Sequence, residues 1–535
     1  MNTGTPVTLE SSSAQTLFDA ITGAGYPLDP RCGRRGLCRG CAVELEEGRV
    51  AEKGQEIGAP ASVRACCVDL VPGVEVVVRV PERLAVRPPM KVENGFECLV
   101  GFSVAPTVPP TPGRPFGLAV DVGTTTVAMA LVDLNSGEIL ERAGDANAQQ
   151  SFGDNVLSRI VHAGTPNGLR ELQNVLVRKT LLPLISEVCA RAEVSAHQIA
   201  GATFAGNTTL MHLLAGEDPT GLGTAPFTAR FLETKRLCGA DIGLDFAGAE
   251  GSLVCDAKVI LLPSFSAYVG ADLTGGLYAT GMSLTKQTEL LVDIGTNGEV
   301  VLSHEGRLYA TATAAGPAFE GGGLSSGMRA CKGTVARLAL DADGKIVTSE
   351  IIGDVLPSRC LGMCGSAYVD FLALGRSAGA LTATGRFDEG AWRRLADPAR
   401  GNAVGPRAYC FGGYASITEQ DVAHLLQAKA ALAAGIDTVL ACAGVDACEV
   451  ATVYLAGGFG MHLVPEHAIQ MGLLPGFRPQ QIRVVGNTSL AGAMLALIDR
   501  PALAEMERLA RTATIIDLNR QDGFEDRFLD HLCLP

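Results

Sequence analysis

Two groups of residues in this chain have types and spacings that can do chemistry. The first is a set of thiols. Cys32, Cys38 and Cys41 share one short loop in the spacing C-x5-C-x2-C, and Cys66 and Cys67 follow about 25 residues on. Thiolates are metal ligands, and Gly33, Gly36 and Gly40 between them permit the tight wrapping and close backbone approach that a cluster needs. Zinc ribbons present two separated C-x2-C pairs instead, although structural zinc stays open as an alternative. The second group is a repeat. Asp121-Val-Gly123-Thr124-Thr125-Thr126 lies between apolar runs, and Asp293-Ile-Gly295-Thr296-Asn297-Gly298-Glu299 lies in the same setting 172 residues later. The glycine of each turn lets backbone N–H groups face phosphate oxygens, and threonine hydroxyls add donors. A carboxylate at the end of each first strand can hold Mg2+ through water or orient an attacking water.

One such turn is common hairpin chemistry. Two in equivalent settings are an internal repeat of long period, which means two related subdomains. A third stretch, Ala456-Gly457-Gly458-Phe459-Gly460 after an apolar strand, sets bare backbone against a flat ligand, as an adenosine site requires. Asn207, with Thr208 and Thr209, sits at a strand-to-helix turn, where it serves as a helix cap or as a ligand contact. Glu299 and Glu320 either position magnesium and water or simply solvate a glycine turn. His212, inside an apolar helical run, reads as a core histidine. Cys331, Cys360 and Cys364 lack the tight spacing of a second cluster.

The elements around these residues follow from periodicity. Val7 to Glu10 predicts a strand and Ala14 to Gly23 a helix, ended by Gly23, Gly25 and Pro27; Ala42 to Leu45 and Val74 to Val80 predict strands. This order of strand, helix, cysteine loop and strands is that of a β-grasp, and with the cysteine spacing it resembles a 2Fe-2S ferredoxin domain. The resemblance implies Cys32, Cys38, Cys41 and Cys66 as ligands. Cys66 follows Ala65, as the ligand does in such sequences, and Cys67 is the alternative. The usual opening hairpin is short here, so its first strand is missing or supplied elsewhere. Residues 84–116 hold seven prolines with little periodicity and read as a linker. The chain divides into a ferredoxin-like domain (1–83), this linker (84–116) and two ATPase subdomains (117–285 and 286–535).

The two hairpin turns and the Gly-Gly-Phe-Gly stretch, in this order, resemble the ASKHA superfamily of acetate and sugar kinases, Hsp70 and actin; no Walker A sequence is present. Further stretches, SerPheGlyAsp154AsnVal, AlaGlyAsn207ThrThr, GlyProAlaPheGlu320Gly, GlyMetArg329Ala and GlyMetCys364GlySer366, are similar to the ATP-dependent reductive activators of corrinoid proteins. The resemblance implies a multidomain α+β/α/β fold, a β-grasp ferredoxin followed by a duplicated ribonuclease H-like ATPase. It also implies a function: ATP drives one electron from a 2Fe-2S cluster to Co(II) of a corrinoid partner, regenerating Co(I). ATP and Mg2+ would be bound by Asp121, Asp293, Gly123, Thr124, Thr125, Thr126, Asn207, Gly295, Thr296, Asn297, Gly298, Gly457 and Gly458. A homodimer is expected, and the electron donor is open. Some members carry an additional middle domain between the ferredoxin and ATPase parts, whereas here only the proline-rich linker fills that interval. Rival readings are an activator of 2-hydroxyacyl-CoA dehydratases, an ASKHA small-molecule kinase with a redox-sensing ferredoxin domain, and a nucleotide-sensing scaffold.

Composition agrees with an enzyme of this kind. The 535 residues carry 43 Lys+Arg against 57 Asp+Glu, a net charge of -14 that argues against nucleic-acid binding and against a polybasic membrane surface. Mean hydropathy is +0.24, yet the sequence offers no run of about 20 apolar residues for a membrane span. No basic-then-apolar leader is visible, so the chain is expected in the cytoplasm with its 16 cysteines reduced.

Overall fold

The computed structural model describes residues 4–10, 15–26, 28, 41–81, 95–153, 155–244, 256–353, 355–391, 408–413 and 415–535. Strand β1 (Gly4–Leu9), helix α1 (Leu17–Gly23), and strands β2 (Ala42–Glu47), β3 (Ala61–Arg64) and β4 (Val76–Pro81) form the N-terminal sheet, ordered β1-β4-β2-β3. All neighbours are antiparallel. Alternation puts Val43 and Leu45 of β2 and Val76, Val78 and Val80 of β4 inward, and α1 covers them with Leu17, Phe18 and Ile21. Thr16 starts that helix by accepting from the Asp19 N–H at 3.1 Å. A single strand precedes the helix and takes the sheet edge, so among the described residues no hairpin opens this domain.

Beyond residue 115 one plan is built twice. Strands β5 (Phe116–Val122), β6 (Thr126–Asp133), β7 (Ile139–Ala146), β8 (Ile199–Gly206), β9 (Lys235–Cys238) and β10 (Lys258–Leu261) make a sheet ordered β7-β6-β5-β8-β10-β9. Strands β11 (Glu289–Ile294), β12 (Gly298–His304), β13 (Arg307–Thr313), β14 (Thr452–Ala456), β15 (Ile482–Gly486) and β16 (Thr514–Ile515) make the other, ordered β15-β14-β11-β12-β13-β16. In each half an antiparallel meander is followed by strands parallel to its first member, β8 beside β5 and β14 beside β11. Parallel pairing requires crossover connections, which carry α2 (Thr208–Ala215), α3 (Ala271–Ala279), α4 (Gly365–Ser377), α5 (Glu419–Ala443) and α6 (Thr488–Ile498) onto the sheets.

The halves are interlocked. Leu490, Met494, Leu495 and Leu497 of α6, although late in the chain, belong to the core of the first sheet with Leu118, Val120 and Phe204. Helices α3 and α6 cross where Gly275 meets Gly492: a Cβ on Gly492 would lie 2.2 Å from the Gly275 Cα. Only glycine permits that approach.

Two sequence expectations change here. Residues 95–115 are a strap laid across the ATPase halves rather than a free linker. The Leu99 N–H donates to Ala279 O at the end of α3, and the Ala105 and Thr107 N–H groups donate to Ile498 O and Leu497 O at the end of α6. The last carbonyls of a helix lack partners within it, and the strap satisfies them, a role with no periodic signature. Helix α5 is, by length and composition, apolar enough to cross a membrane, contrary to the sequence expectation. It is a core helix, with 78% of its apolar window buried inside the protein.

Candidate functional site

Strand register brings the two aspartates together. Asp121 lies beside Ala205 of β8, and Asp293 beside Ala456 of β14, so each acid sits just below its glycine turn and next to the exit of the neighbouring parallel strand. Those exits lead to Asn207 in one half and Gly457 in the other. At Gly457, φ is +89° and a Cβ would lie 2.6 Å from Asp293 Oδ1, so bare backbone passes over the carboxylate. Asp121, Gly123, Thr124, Thr125, Thr126, Asn207, Asp293, Gly295, Thr296, Asn297, Gly457 and Gly458 all line one cavity of about 550 Å3. Gly298, expected there, does not. It is packed behind the turn, where a Cβ would meet Thr313 Oγ1 at 2.7 Å and Leu432 Cδ1 at 2.8 Å, so tight core packing accounts for it.

The floor of the cavity is acidic. Asp121 accepts from Asn487 Nδ2 at 2.9 Å and Ser489 Oγ at 2.7 Å; burial raises its pKa and these two donors pull it back. Asp272, in the first turn of α3, is pushed up to about 7 by burial and by Asp121. Asp293 is pushed up to about 8 by burial, then by Asp272, Asp121 and Glu320. Glu299, paired with Asp293 across the β11–β12 ladder, is raised by burial and then by Asp272 and Asp293. Carboxyls crowded in a low-dielectric wall must share protons or a cation. Among the described residues no group of three acids, histidines or cysteines is arranged to hold a metal ion by itself.

The turns are braced from behind. Asn147 Nδ2 donates to Gly123 O at 2.9 Å, and the wholly buried Arg159 donates to Thr124 O, Gly153 O and Gln149 Oε1. Asn207 is a helix cap, Oδ1 accepting from the Leu210 N–H at the start of α2, while its Nδ2 donates to Thr124 Oγ1 at 3.0 Å in the cavity wall. His212 is the core histidine that was expected. Its Nδ1 faces Thr208 O, its Nε2 accepts from the Arg230 N–H, and burial lowers its pKa, so the ring stays neutral.

Sequence reasoning missed Asp272, Asn487 and Ser489. A signal for the last two was present, since Gly486-Asn487-Thr488-Ser489 repeats the pattern Gly206-Asn207-Thr208-Thr209, and Asn487 caps α6 as Asn207 caps α2. Arg329, quoted only as part of a resembling stretch, also lines the cavity and donates to Gln150 Oε1 at 2.8 Å.

At the N-terminal sheet, Cys32 and Cys38 lie outside the described residues. Cys41 and Cys66 are brought close by the β2–β3 ladder, in which Ala42 pairs with Arg64 and the Ala65 N–H donates to Cys41 O at 2.9 Å. Cys66 and Cys67 share one short turn with their sulfurs 3.8 Å apart, and burial together with Cys66 pushes the Cys67 thiol up.

Comparison with known proteins agrees with this geometry. Residues 287–535 match the family model of the C-terminal, ASKHA domain of RACo, and residues 116–285 match that of the RACo middle region. The second match corrects the expectation of a missing middle domain: the middle region is the stretch read as the first ATPase subdomain. The chain is 31% identical over 428 residues to the corrinoid activation enzyme RamQ of Eubacterium limosum, covering 77% of this chain and 69% of that protein. It is 22% identical over 419 residues to the [Co(II) methylated amine-specific corrinoid protein] reductase of Methanosarcina barkeri, covering 75% of this chain and 73% of that one. A solved reductive activator for corrinoid, iron-sulfur protein superposes with a TM-score of 0.72 at 28% identity, covering 97% of this chain and 96% of that one. With a duplicated ATPase core around one acidic cavity and relatives matched over most of their length, this chain belongs to the RACo family of reductive activators of corrinoid proteins.

Proposed function

We propose that this protein reduces the cobalt of a corrinoid protein from Co(II) to Co(I), with ATP driving the transfer of one electron. The carrying observation is the join of two chemistries in one chain, a cysteine-bearing sheet and a doubled phosphate-turn cavity. The names of the matched relatives support a corrinoid protein as the partner.

Cys32, Cys38, Cys41 and Cys66 would hold a 2Fe-2S cluster; the β2–β3 ladder, which sets Cys41 against Ala65, the residue before Cys66, fits that role. Such a cluster supplies a one-electron carrier, near −400 mV in plant-type ferredoxins. The turns at Gly123–Thr126 and Gly295–Asn297 would receive the phosphates, and Gly457–Gly458 the adenosine. Asp121, Asp272, Asp293 and Glu299 fit Mg2+ because their crowded charge calls for a cation. The strap packs against the nucleotide cavity: Gly95 O accepts from the N–H of Asn487, the same residue whose side chain holds Asp121. A change of nucleotide state that moves α6 therefore moves the strap. A reducing cytoplasm, where the chain's 16 cysteines stay as thiols or metal ligands, is part of the proposal. A homodimer is part of the proposal, and light scattering tests it.

The decisive measurement is loss of the Co(II) paramagnetic signal of a corrinoid protein on adding this protein, a low-potential reductant and Mg-ATP. Cobalt that stays oxidised with several corrinoid partners refutes the proposal. Iron and sulfide analysis separates the rivals, since two irons per chain support it and four shared by a dimer point to a dehydratase-type activator. Phosphorylation of a small substrate would point to a kinase.

A further inference from the structure

The two phosphate turns meet on a carboxylate. Glu320 Oε2 accepts from Thr125 Oγ1 at 2.8 Å and from Thr296 Oγ1 at 3.1 Å, and the two hydroxyls are themselves 3.1 Å apart. The other carboxylate oxygen stands over the second turn, 3.9 Å from where a Gly295 Cβ would be. Glu320 is half-buried and faces the cavity. One hydroxyl from each turn is the donor pair that a phosphoryl oxygen between the turns would use, and a carboxylate is an acceptor of the same charge and kind.

We infer that Glu320 sits in the seat of the nucleotide's terminal phosphate, so that a triphosphate must expel it and a diphosphate leaves it in place. The inference rests on the ATP reading above and adds to it the residue that tells the two nucleotides apart. Two anions cannot hold the same donors in a cavity whose floor already carries Asp121, Asp272 and Asp293, because like charges at close range disfavour one another.

The segment bearing Glu320 is built to pass the displacement on. It is a short turn, Pro317–Glu320, flanked by Gly316 at φ +74° and Gly321 at φ +79°. Phe319 beside it is fully buried and stacks at 5.6 Å on Phe459 of the Gly-Gly-Phe-Gly stretch. Its carbonyl packs so closely on Gly365, at the start of α4, that a Cβ there would lie 1.5 Å from the oxygen. Expulsion of Glu320 by a terminal phosphate therefore presses on the far wall of the cavity, where the adenosine is read. A Glu320 that served only to tie the turns together would support both nucleotides alike.

The test uses the full chain with Glu320→Gln, which keeps an acceptor without the charge, and Glu320→Ala. Calorimetry with Mg2+ measures binding of ADP and of a non-hydrolysable ATP analogue, and thermal unfolding confirms the fold of each variant. Triphosphate affinity should rise about fivefold or more in the Gln variant, with ADP affinity unchanged. Triphosphate affinity that is unchanged or weaker, or an equal gain for ADP, overturns the inference. Should the Ala variant fail to fold, the Gln variant alone decides. Wild-type protein that binds neither nucleotide would instead remove the ATP reading.

Discussion

Ser489 Oγ, in the first turn of a helix from the second half, donates to Asp121 Oδ1 of the first half at 2.7 Å across 368 residues of chain. The bond stabilises the charged form of an acid that burial would otherwise keep protonated. Ser489→Ala should therefore move the acid limb of the ATP hydrolysis profile to higher pH. Turnover should fall several-fold at neutral pH and recover in alkali, with little change in KM for ATP. A limb that does not move means that Asp121 need not be ionised for turnover.

The acid cluster sets a pH dependence of stability. Asp293 is raised to about 8 when folded, against about 3.9 for a free aspartate. The folded state thus holds the proton longer. Its stabilising contribution is complete below pH ~4 and is lost as pH rises through about 8. The melting temperature of metal-free protein should fall between pH 5 and pH 8, and Mg2+ should restore most of the loss above pH 7 by replacing protons. Asp293→Asn should flatten the fall and lower Mg-ATP turnover by on the order of 100-fold. Differential scanning fluorimetry across pH, with and without Mg2+, checks the first part. A flat profile in wild type would refute the charge crowding.

The cysteine set separates by module. Cys38→Ala and Cys66→Ala should each abolish the visible absorbance and the reduced-state paramagnetic signal of the cluster while ATP binding persists. Cys67→Ala should leave both intact. Asp293→Ala should show the reverse pattern, cluster kept and Mg-ATP binding lost. Loss of both properties in every variant would mean global misfolding rather than two modules.

The crossing of α3 and α6 admits no side chain. Gly492→Ala places a methyl 2.2 Å from the Gly275 Cα, so the helices must part. The cost should be about 1–3 kcal/mol, as for overpacking elsewhere. Because Asp272 begins one helix and Asn487 caps the other, ATP affinity should drop with stability. Denaturant unfolding together with nucleotide binding checks both. An unchanged midpoint would show that the crossing relaxes freely.

What could be read before folding was whatever repeats or has a local period. The two Asp-x-Gly-Thr turns, the Gly-Gly-Phe-Gly stretch, the cysteine spacing and the alternation of β2 and β4 each record a short-range rule, a turn that needs glycine or a strand with one buried face. Asn207 was legible for the same reason, since a helix cap is local chemistry. Gly298 misled because a glycine beside a phosphate turn and a glycine packed on Leu432 look alike in sequence. The proline-rich 95–115 region also misled, because satisfying the ends of α3 and α6 leaves no periodic mark.

The sequence by itself therefore determined the modules, the doubled turn and the strand acids Asp121 and Asp293. Only the tertiary structure decided which further groups meet them. Asp272 arrives on α3, Asn487 and Ser489 on a helix swapped from the other half, and Glu320 on a glycine-flanked turn. None of these pairings has a sequence period, because each is set by how two similar sheets exchange helices across one cavity, and a contact spanning hundreds of residues is fixed by packing and not by neighbours in the chain.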